Sequence, residues 1–246
     1  MRIHLLPCLL LLPALAHAQM PGSAAEQTTE NAQNMTNVGD KNFDVVSFNK
    51  RDDGVRGTPM LYAGWRMGEV LLVGNTKPLR MPLKYDVYRQ ELRARRPAGD
   101  SIVVPLLRVQ EFSWLPAGGG APQRFVRCMA SPLAPELVGT CAEVLVPGQR
   151  WQLLKLSRKV LTQEADPSSS GLQPLMVKAF KPLTTYYLRW TTGGRIEPVK
   201  IKRAALESAL VKQPAALAAL RARRLSIGNE AELAAVVAAL DASITE

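Results

Sequence analysis

Three carboxylates that lie close together in the sequence are the residues best placed to do chemistry in this 246-residue chain. Asp86, Glu91 and Glu111 lie on or beside neighbouring strand candidates, where folding could bring two of them together. A pair of Asp or Glu side chains is sufficient to hydrolyse a glycosidic bond. The alternative, which we favour, is that Asp86 and Glu91 pair with nearby arginines on a solvated face.

A second group combines two tyrosines with four arginines. Arginine interleaved with aromatic residues can hold a polyanion through charge and stacking. Residues 57–203 also carry 22 Lys and Arg against 10 Asp and Glu, which places the positive field of the chain here. The alternative is that solvated arginines keep a sheet in solution and its edges unpaired. The candidate binding residues are Tyr85, Tyr88, Arg89, Arg93, Arg95 and Arg96.

The first 18 residues are typical of a secretory signal peptide. Arg2 gives a positive start, residues 3–15 are almost entirely apolar, and Ala16-His17-Ala18 is a pattern that signal peptidase accepts. The apolar stretch is too short to span a bilayer, which takes about 20 residues. A lipoprotein signal at Cys8 fits less well, because Pro7 precedes the cysteine. We predict cleavage after Ala18 and a periplasmic or extracellular mature chain that does not span a membrane.

Cleavage would remove both histidines, His4 and His17. A chain without histidine excludes Ser-His-Asp and Cys-His catalysis in their usual forms, and it excludes imidazole-bound metal sites. The sequence also has no glycine-rich nucleotide-binding fingerprint, no CxxC pair and no EF-hand loop. It therefore predicts no metal and no cofactor, and we expect no nucleic-acid partner.

Two cysteines would remain in the mature chain. Cys128 and Cys141 lie thirteen residues apart, each among strand-like residues. An even number of cysteines in an exported chain favours a disulfide, here between the two arms of a long hairpin. The alternative is two free, buried thiols.

The elements that must position these residues are mostly short strands. Residues 19–41 are polar and small and predict a flexible lead-in. Residues 42–203 contain about ten strand candidates separated by turn signals, beginning at 43–48. The clearest alternation of apolar and polar residues runs from Leu79 to Val87, where Pro82 predicts an edge strand or a bulge. Gly193-Gly194 predicts a tight hairpin.

The period of the apolar pattern changes in residues 204–246. Three short helices are predicted, at 204–212, 215–224 and from Asn229, where Glu232 completes a capping box. The fold class is mainly β (α+β): an antiparallel sheet, sandwich or partly closed barrel with a C-terminal helical cap packed on it.

Several of these patterns resemble a group of exported Gram-negative bacterial proteins. The matching stretches are the G-x-P-x-L entry Gly57–Leu61, then Trp65, Gly68 and Val70, the L-x-Y-D-x-Y strand Leu83–Tyr88, and Val109–Phe112. The resemblance covers roughly residues 55–245, and its motifs are loose strand patterns. It implies a location in the cell envelope and the extent of the domain, but no activity.

The sequence therefore favours a non-enzymatic binding or structural module of the envelope, whose partner is a protein or an anionic polymer. This hypothesis rests on the export signal, on the absence of histidine and on the lack of a catalytic constellation. The alternative is a histidine-independent, carboxylate-dependent hydrolase that acts on an envelope glycan.

Overall fold

The structure is a computed structural model that describes residues 52–128, 134–168, 175–223 and 225–243. The predicted signal peptide, the lead-in and the first strand candidate at 43–48 lie outside the described residues. Within them the chain forms β1 (Val55–Arg56), β2 (Arg66–Leu72), β3 (Leu79–Asp86), β4 (Glu91–Arg95), β5 (Ser101–Val104), β6 (Val109–Trp114), β7 (Gln123–Arg127), β8 (Cys141–Pro147), β9 (Trp151–Ala165), β10 (Met176–Trp190) and β11 (Ile196–Val199). Three helices follow: α1 (Arg203–Ala209), α2 (Pro214–Ala222) and α3 (Glu230–Ser243).

All of these strands belong to one sheet. Its hydrogen-bonded order is β1-β10-β9-β8-β7-β6-β2-β3-β4-β5, and β11 pairs with the second half of β10. Every neighbouring pair is antiparallel except β1 with β10, which run parallel. Across the described residues β5 pairs only with β4, so the sheet does not close into a barrel. The predicted fold class, an antiparallel sheet with C-terminal helices, is confirmed.

The sheet bends back on itself although it stays open. Lys159 of β9 donates its backbone N–H to the carbonyl of Val87, 3.3 Å away and just beyond the end of β3. These two strands are five places apart in the order of the sheet. The bend encloses a core of rings, in which Phe112 stacks on Phe125 at 4.7 Å and Tyr85 meets Phe112 edge-on at 5.3 Å.

Close approach of strands explains one glycine of the sheet. A Cβ atom on Gly68 of β2 would lie 2.3 Å from the carbonyl oxygen of Ser113 and 2.9 Å from the side chain of Leu83. Since real Cβ atoms do not tolerate such distances, any other residue would push β2 away from β6 and β3.

The helices cover the sheet around β8 to β11. Leu153 and Leu188 of the sheet pack in one apolar cluster with Leu206, Leu220 and Leu233 of the three helices. A separate cluster on the opposite face contains Leu154 and Tyr187, which the short 3₁₀ turn Pro135–Leu137 helps to cover. Both faces of this part of the sheet are therefore buried, which is why β9 has apolar residues in consecutive positions.

The third helix begins as its sequence predicts. Asn229 accepts the backbone N–H of Glu232 at 2.9 Å, and the Glu232 carboxylate accepts the backbone N–H of Gly228 at 2.8 Å. These bonds satisfy amides that lack partners within the helix.

The predicted disulfide is wrong. Arg127 lies directly opposite Cys141, whereas Cys128 donates its backbone N–H to the carbonyl of Thr140. Residues opposite one another share a face and successive residues alternate, so the two thiols point to opposite faces. Both cysteines are free and buried, and burial raises the pKa of Cys141 to about 12.

Candidate functional site

The structure brings together several of the predicted site residues at the β3–β4 hairpin. Asp86 is completely buried and accepts the backbone N–H of Tyr88 at 3.0 Å and that of Arg89 at 2.8 Å. The Arg89 guanidinium also binds Asp86, at 3.1 Å, and it holds Asp52 through two further bonds of 2.6 and 3.2 Å. Arg93 lies 3.6 Å from Asp86 and 3.2 Å from Glu91. The carboxylates and guanidinium groups of this hairpin neutralise one another.

The third candidate acid lies elsewhere. Glu111 of β6 pairs with Arg124 of β7, with Nε···O and Nη2···O distances of 2.9 and 2.5 Å, and it shares no partner with Asp86 or Glu91. The three acids therefore do not form one group, and each is held by arginine.

The tyrosines and the other arginines of the predicted binding group also have partners. The hydroxyl of Tyr85 is buried, donates to Gln90 at 2.5 Å and accepts the backbone N–H of Cys141 at 3.2 Å. Burial raises the pKa of Tyr85 well above its usual value. Tyr88 packs edge-on against the ring of Phe180. Arg96 pairs with Asp100, and Arg95 donates only a long bond of 3.4 Å to the carbonyl of Gly99. Most of the group is committed to contacts within the fold.

A site that sequence reasoning missed lies on the outer edge of β10. On this edge β1 pairs with residues 178–179 and β11 pairs with residues 186–189. Between them, the outer edge of residues 180–185 has no partner strand within the described part of the chain. At about 3.3 Å per residue, the gap is roughly 20 Å long.

The backbone register shows which groups the gap presents. Because Lys159 directs its N–H to Val87, its opposite residue Pro182 is in a non-hydrogen-bonded pair and directs its own backbone groups outwards. Phe180 and Thr184, each two residues away, have the same orientation. Because Phe180 is buried, the exposed part of the gap presents the carbonyl of Pro182 and both the N–H and the carbonyl of Thr184.

A cavity of about 950 Å³ lies beside one end of this gap. Its walls are residues 184–187 of β10, residues 197–202 of β11 and the following turn, and Ala205, Ser208 and Ala209 of α1. The three α1 residues lie on one face of the helix and are small, which leaves room between the helix and the strand edge. The volume is within the range of protein ligand sites.

The two tyrosines in the cavity wall are hydrogen-bond donors and not reactive bases. Tyr186 donates to Glu230 at 2.7 Å, and Glu230 also pairs with Lys155 at 2.8 Å. Tyr187 donates to Glu136. Burial, assisted by these carboxylates, raises the pKa of each tyrosine to about 12, so both stay protonated at neutral pH.

The charges around the gap are unequally matched. Glu164 is held by Arg56 and Lys181, Glu197 by Arg195, and Glu136 by the hydroxyl of Tyr187. Four cations near the gap have no carboxylate within ion-pair distance among the described residues: Arg158, Lys178, Lys200 and Lys202. The surface therefore offers positive charge beside an open strand edge.

The described residues contain no group of three or more His, Cys, Asp or Glu side chains that could hold a metal ion, and none of their helices is long and apolar enough to cross a membrane. The arrangement can bind a ligand through backbone groups, apolar walls and positive charge.

Comparison of the chain with protein-family models, with curated proteins and with solved structures finds no match in any of the three. The resemblance to exported Gram-negative proteins therefore stays a prediction.

Proposed function

We propose that this protein is a non-enzymatic binding module that takes an extended segment of a protein partner at the open edge of β10. The observation that carries the proposal is the unpaired stretch 180–185, bounded by β1 and β11 and adjoining the cavity. An extended peptide can extend a sheet by hydrogen bonding to such an edge, while its alternate side chains enter neighbouring pockets.

The shape of the edge favours a short and specific partner strand. β1 and β11 occupy both flanks, so a strand of about six residues fills the gap and a long flat strand does not fit. Pro182 removes one donor from the edge, which is a common protection against indiscriminate pairing. A partner must therefore match one donor and two acceptors in a fixed register.

The alternative function, a carboxylate-dependent glycan hydrolase, gains no support from the site geometry. Asp86 is buried under backbone amides and guanidinium groups, and Glu111 pairs with Arg124 outside that cluster. A general acid needs a carboxyl group with a raised pKa next to the substrate. The hydrolase stays a prediction from the sequence.

The proposal can be tested by selecting peptides from a displayed library of random twelve-residue sequences on the immobilised chain. We expect the enriched peptides to lose at least about tenfold in affinity on Thr184→Pro, which removes the outward N–H of Thr184 and adds bulk at the edge. Pro182 shows that this edge accepts proline without losing its strand conformation.

Thr184→Val is the matched control, because it changes the side chain and keeps the backbone N–H. We expect the affinity of the enriched peptides for this variant to stay within about twofold of their affinity for the unaltered chain. In the unaltered chain, bound peptide must also slow amide hydrogen exchange at Thr184. Failure to enrich any peptide, or equal affinity for both variants without protection of Thr184, would overturn the proposal.

We further propose that the protein acts after export, because its first 18 residues have the features of a signal peptide. Sequencing the N-terminus of the chain recovered from an expressing Gram-negative cell tests this. Gln19 as the first residue supports export, and an uncleaved Met1 contradicts it.

A further inference from the structure

The open edge of β10 has a charge environment that selects among extended peptides. This inference rests on the proposed function and deepens it. Lys200 and Lys202 line the cavity where β11 ends and are exposed, and the described residues give neither of them a carboxylate partner. The other two cations without carboxylate partners, Arg158 and Lys178, lie on the same ribbon as the gap.

The position of Arg158 relates this charge directly to the bound strand. Arg158 of β9 is the cross-strand neighbour of Leu183, which lies inside the gap and is 47% exposed. Its positive charge also acts on the Tyr187 hydroxyl in the cavity wall, lowering the pKa of that group against the larger effect of burial. Arg158 therefore lies one strand in from the gap, on the face of the sheet that also carries Leu183 and Tyr187.

The negative groups in the same region do not cancel these cations. Glu164 is paired with both Arg56 and Lys181 and Glu197 with Arg195, whereas Glu136 accepts the uncharged hydroxyl of Tyr187 and keeps its negative charge. With Arg158, Lys178, Lys200 and Lys202, the region holds seven positive charges against three negative ones and keeps an excess of positive charge. Exposed charges of this kind attract an oppositely charged partner and repel a like-charged one.

We infer that the segment bound at the β10 edge is an acidic peptide in which Asp or Glu alternates with apolar residues. In an added strand successive side chains point to opposite faces, so alternation places one set on the apolar cavity wall and the other beside the cations. Val199, Ile201 and Ala209 supply the apolar wall, and Lys200 and Lys202 lie next to it.

Two synthetic octapeptides test the inference, one with valine alternating with aspartate and one with valine alternating with lysine. At about 20 mM salt, we expect the aspartate peptide to bind the full mature chain at least about tenfold more tightly than the lysine peptide does. The difference should narrow at about 200 mM salt, where exposed charges are more strongly screened.

The double variant Lys200→Glu/Lys202→Glu should reduce or reverse the preference for aspartate. Lys77→Glu/Lys212→Glu is the matched control, since it makes the same change in net charge at two exposed lysines outside the cavity. We expect the control to keep most of the preference. An equal effect of both double variants would show a general effect of net charge and overturn the inference.

The two proposals fail in different ways. If both octapeptides bind equally well and Thr184→Pro weakens both, the edge binds strands without charge selection, and only the inference is overturned. If neither octapeptide binds and the displayed library yields no peptide that depends on Thr184, the proposed function is overturned and the inference fails with it.

Discussion

Asp86 shows how one residue can look catalytic in a sequence and be structural in the fold. It lies at the end of β3 beside Glu91, as a catalytic pair would require. However, two backbone amides and the guanidinium of Arg89 surround its oxygens, and Arg93 lies 3.6 Å away. These contacts occupy both carboxylate oxygens and leave neither for a substrate.

We therefore expect Asp86→Asn to lower the free energy of unfolding by about 3 kcal/mol, because it leaves two partly buried guanidinium groups without their shared countercharge. Urea denaturation monitored by circular dichroism measures this. Asp100→Asn is the control, since it breaks the ion pair of Arg96 at the surface and should change stability far less than Asp86→Asn does. Equal losses in the two variants would contradict a special role for Asp86.

At the scale of the elements, the sequence predicted the strands and helices well, but it did not predict which strands pair with one another. The alternation from Leu79 to Val87 predicted a strand with one buried face, and β3 is that strand. Pro82 predicted an edge or a bulge, yet β3 is internal, between β2 and β4. Pairing with β4 begins only at Leu83, so the missing N–H of Pro82 lies just outside that ladder.

The missed site and the wrong disulfide have the same physical origin. Periodicity shows which face of a strand is buried, but the register of two strands depends on residues far apart in the chain. Because the register of β7 and β8 is offset by one residue from the one a disulfide needs, Cys128 and Cys141 point to opposite faces of the sheet. Likewise, the gap on β10 exists because β1 and β11 end where they do, and only Pro182 within an otherwise strand-like run gave a signal in the sequence.

One carboxylate links α3 to the sheet in addition to the apolar contacts of the helix. Asp241 accepts the backbone N–H groups of Gln149, Arg150 and Trp151 at 2.7, 2.8 and 3.0 Å. Burial raises the pKa of Asp241, but the three amides together outweigh burial, so its pKa in the folded protein is lowered. A group with a lowered pKa in the folded state contributes stability above its unfolded pKa and loses it as the pH falls.

Asp241→Asn should therefore destabilise the protein by about 1–2 kcal/mol at pH 7. The difference from the unaltered chain should shrink as the pH is lowered from about 5 to about 3, where the carboxyl group of the unaltered chain becomes protonated. Urea unfolding of both proteins at each pH measures the difference and cancels the contributions of other acids. A difference that stays constant with pH would contradict the role of the charge.

At the scale of the whole molecule, one lysine joins parts of the sheet that are distant in its order. The Nζ atom of Lys159 donates to the carbonyls of Thr58 at 2.6 Å and Met60 at 2.8 Å, while its backbone N–H binds Val87. The segment containing Thr58 and Met60 runs beside the end of β3 through a bridge to Asp86. Lys159 therefore connects β9, and β10 which pairs with it along its whole length, to the segment beside the end of β3.

Lys159→Met keeps most of the apolar stem and removes both charged hydrogen bonds, so we expect a loss of about 2 kcal/mol in the free energy of unfolding. Amide exchange at Leu61 and Val87 should become faster, because these amides hold the same segment against β3. Lys178→Met is the control, since Lys178 is exposed on the same ribbon without a side-chain partner among the described residues. If exchange at Leu61 and Val87 rises equally in both variants, the bend is held by the strands themselves. If it rises only in Lys159→Met, a single side chain sets the curvature that places the open edge of β10.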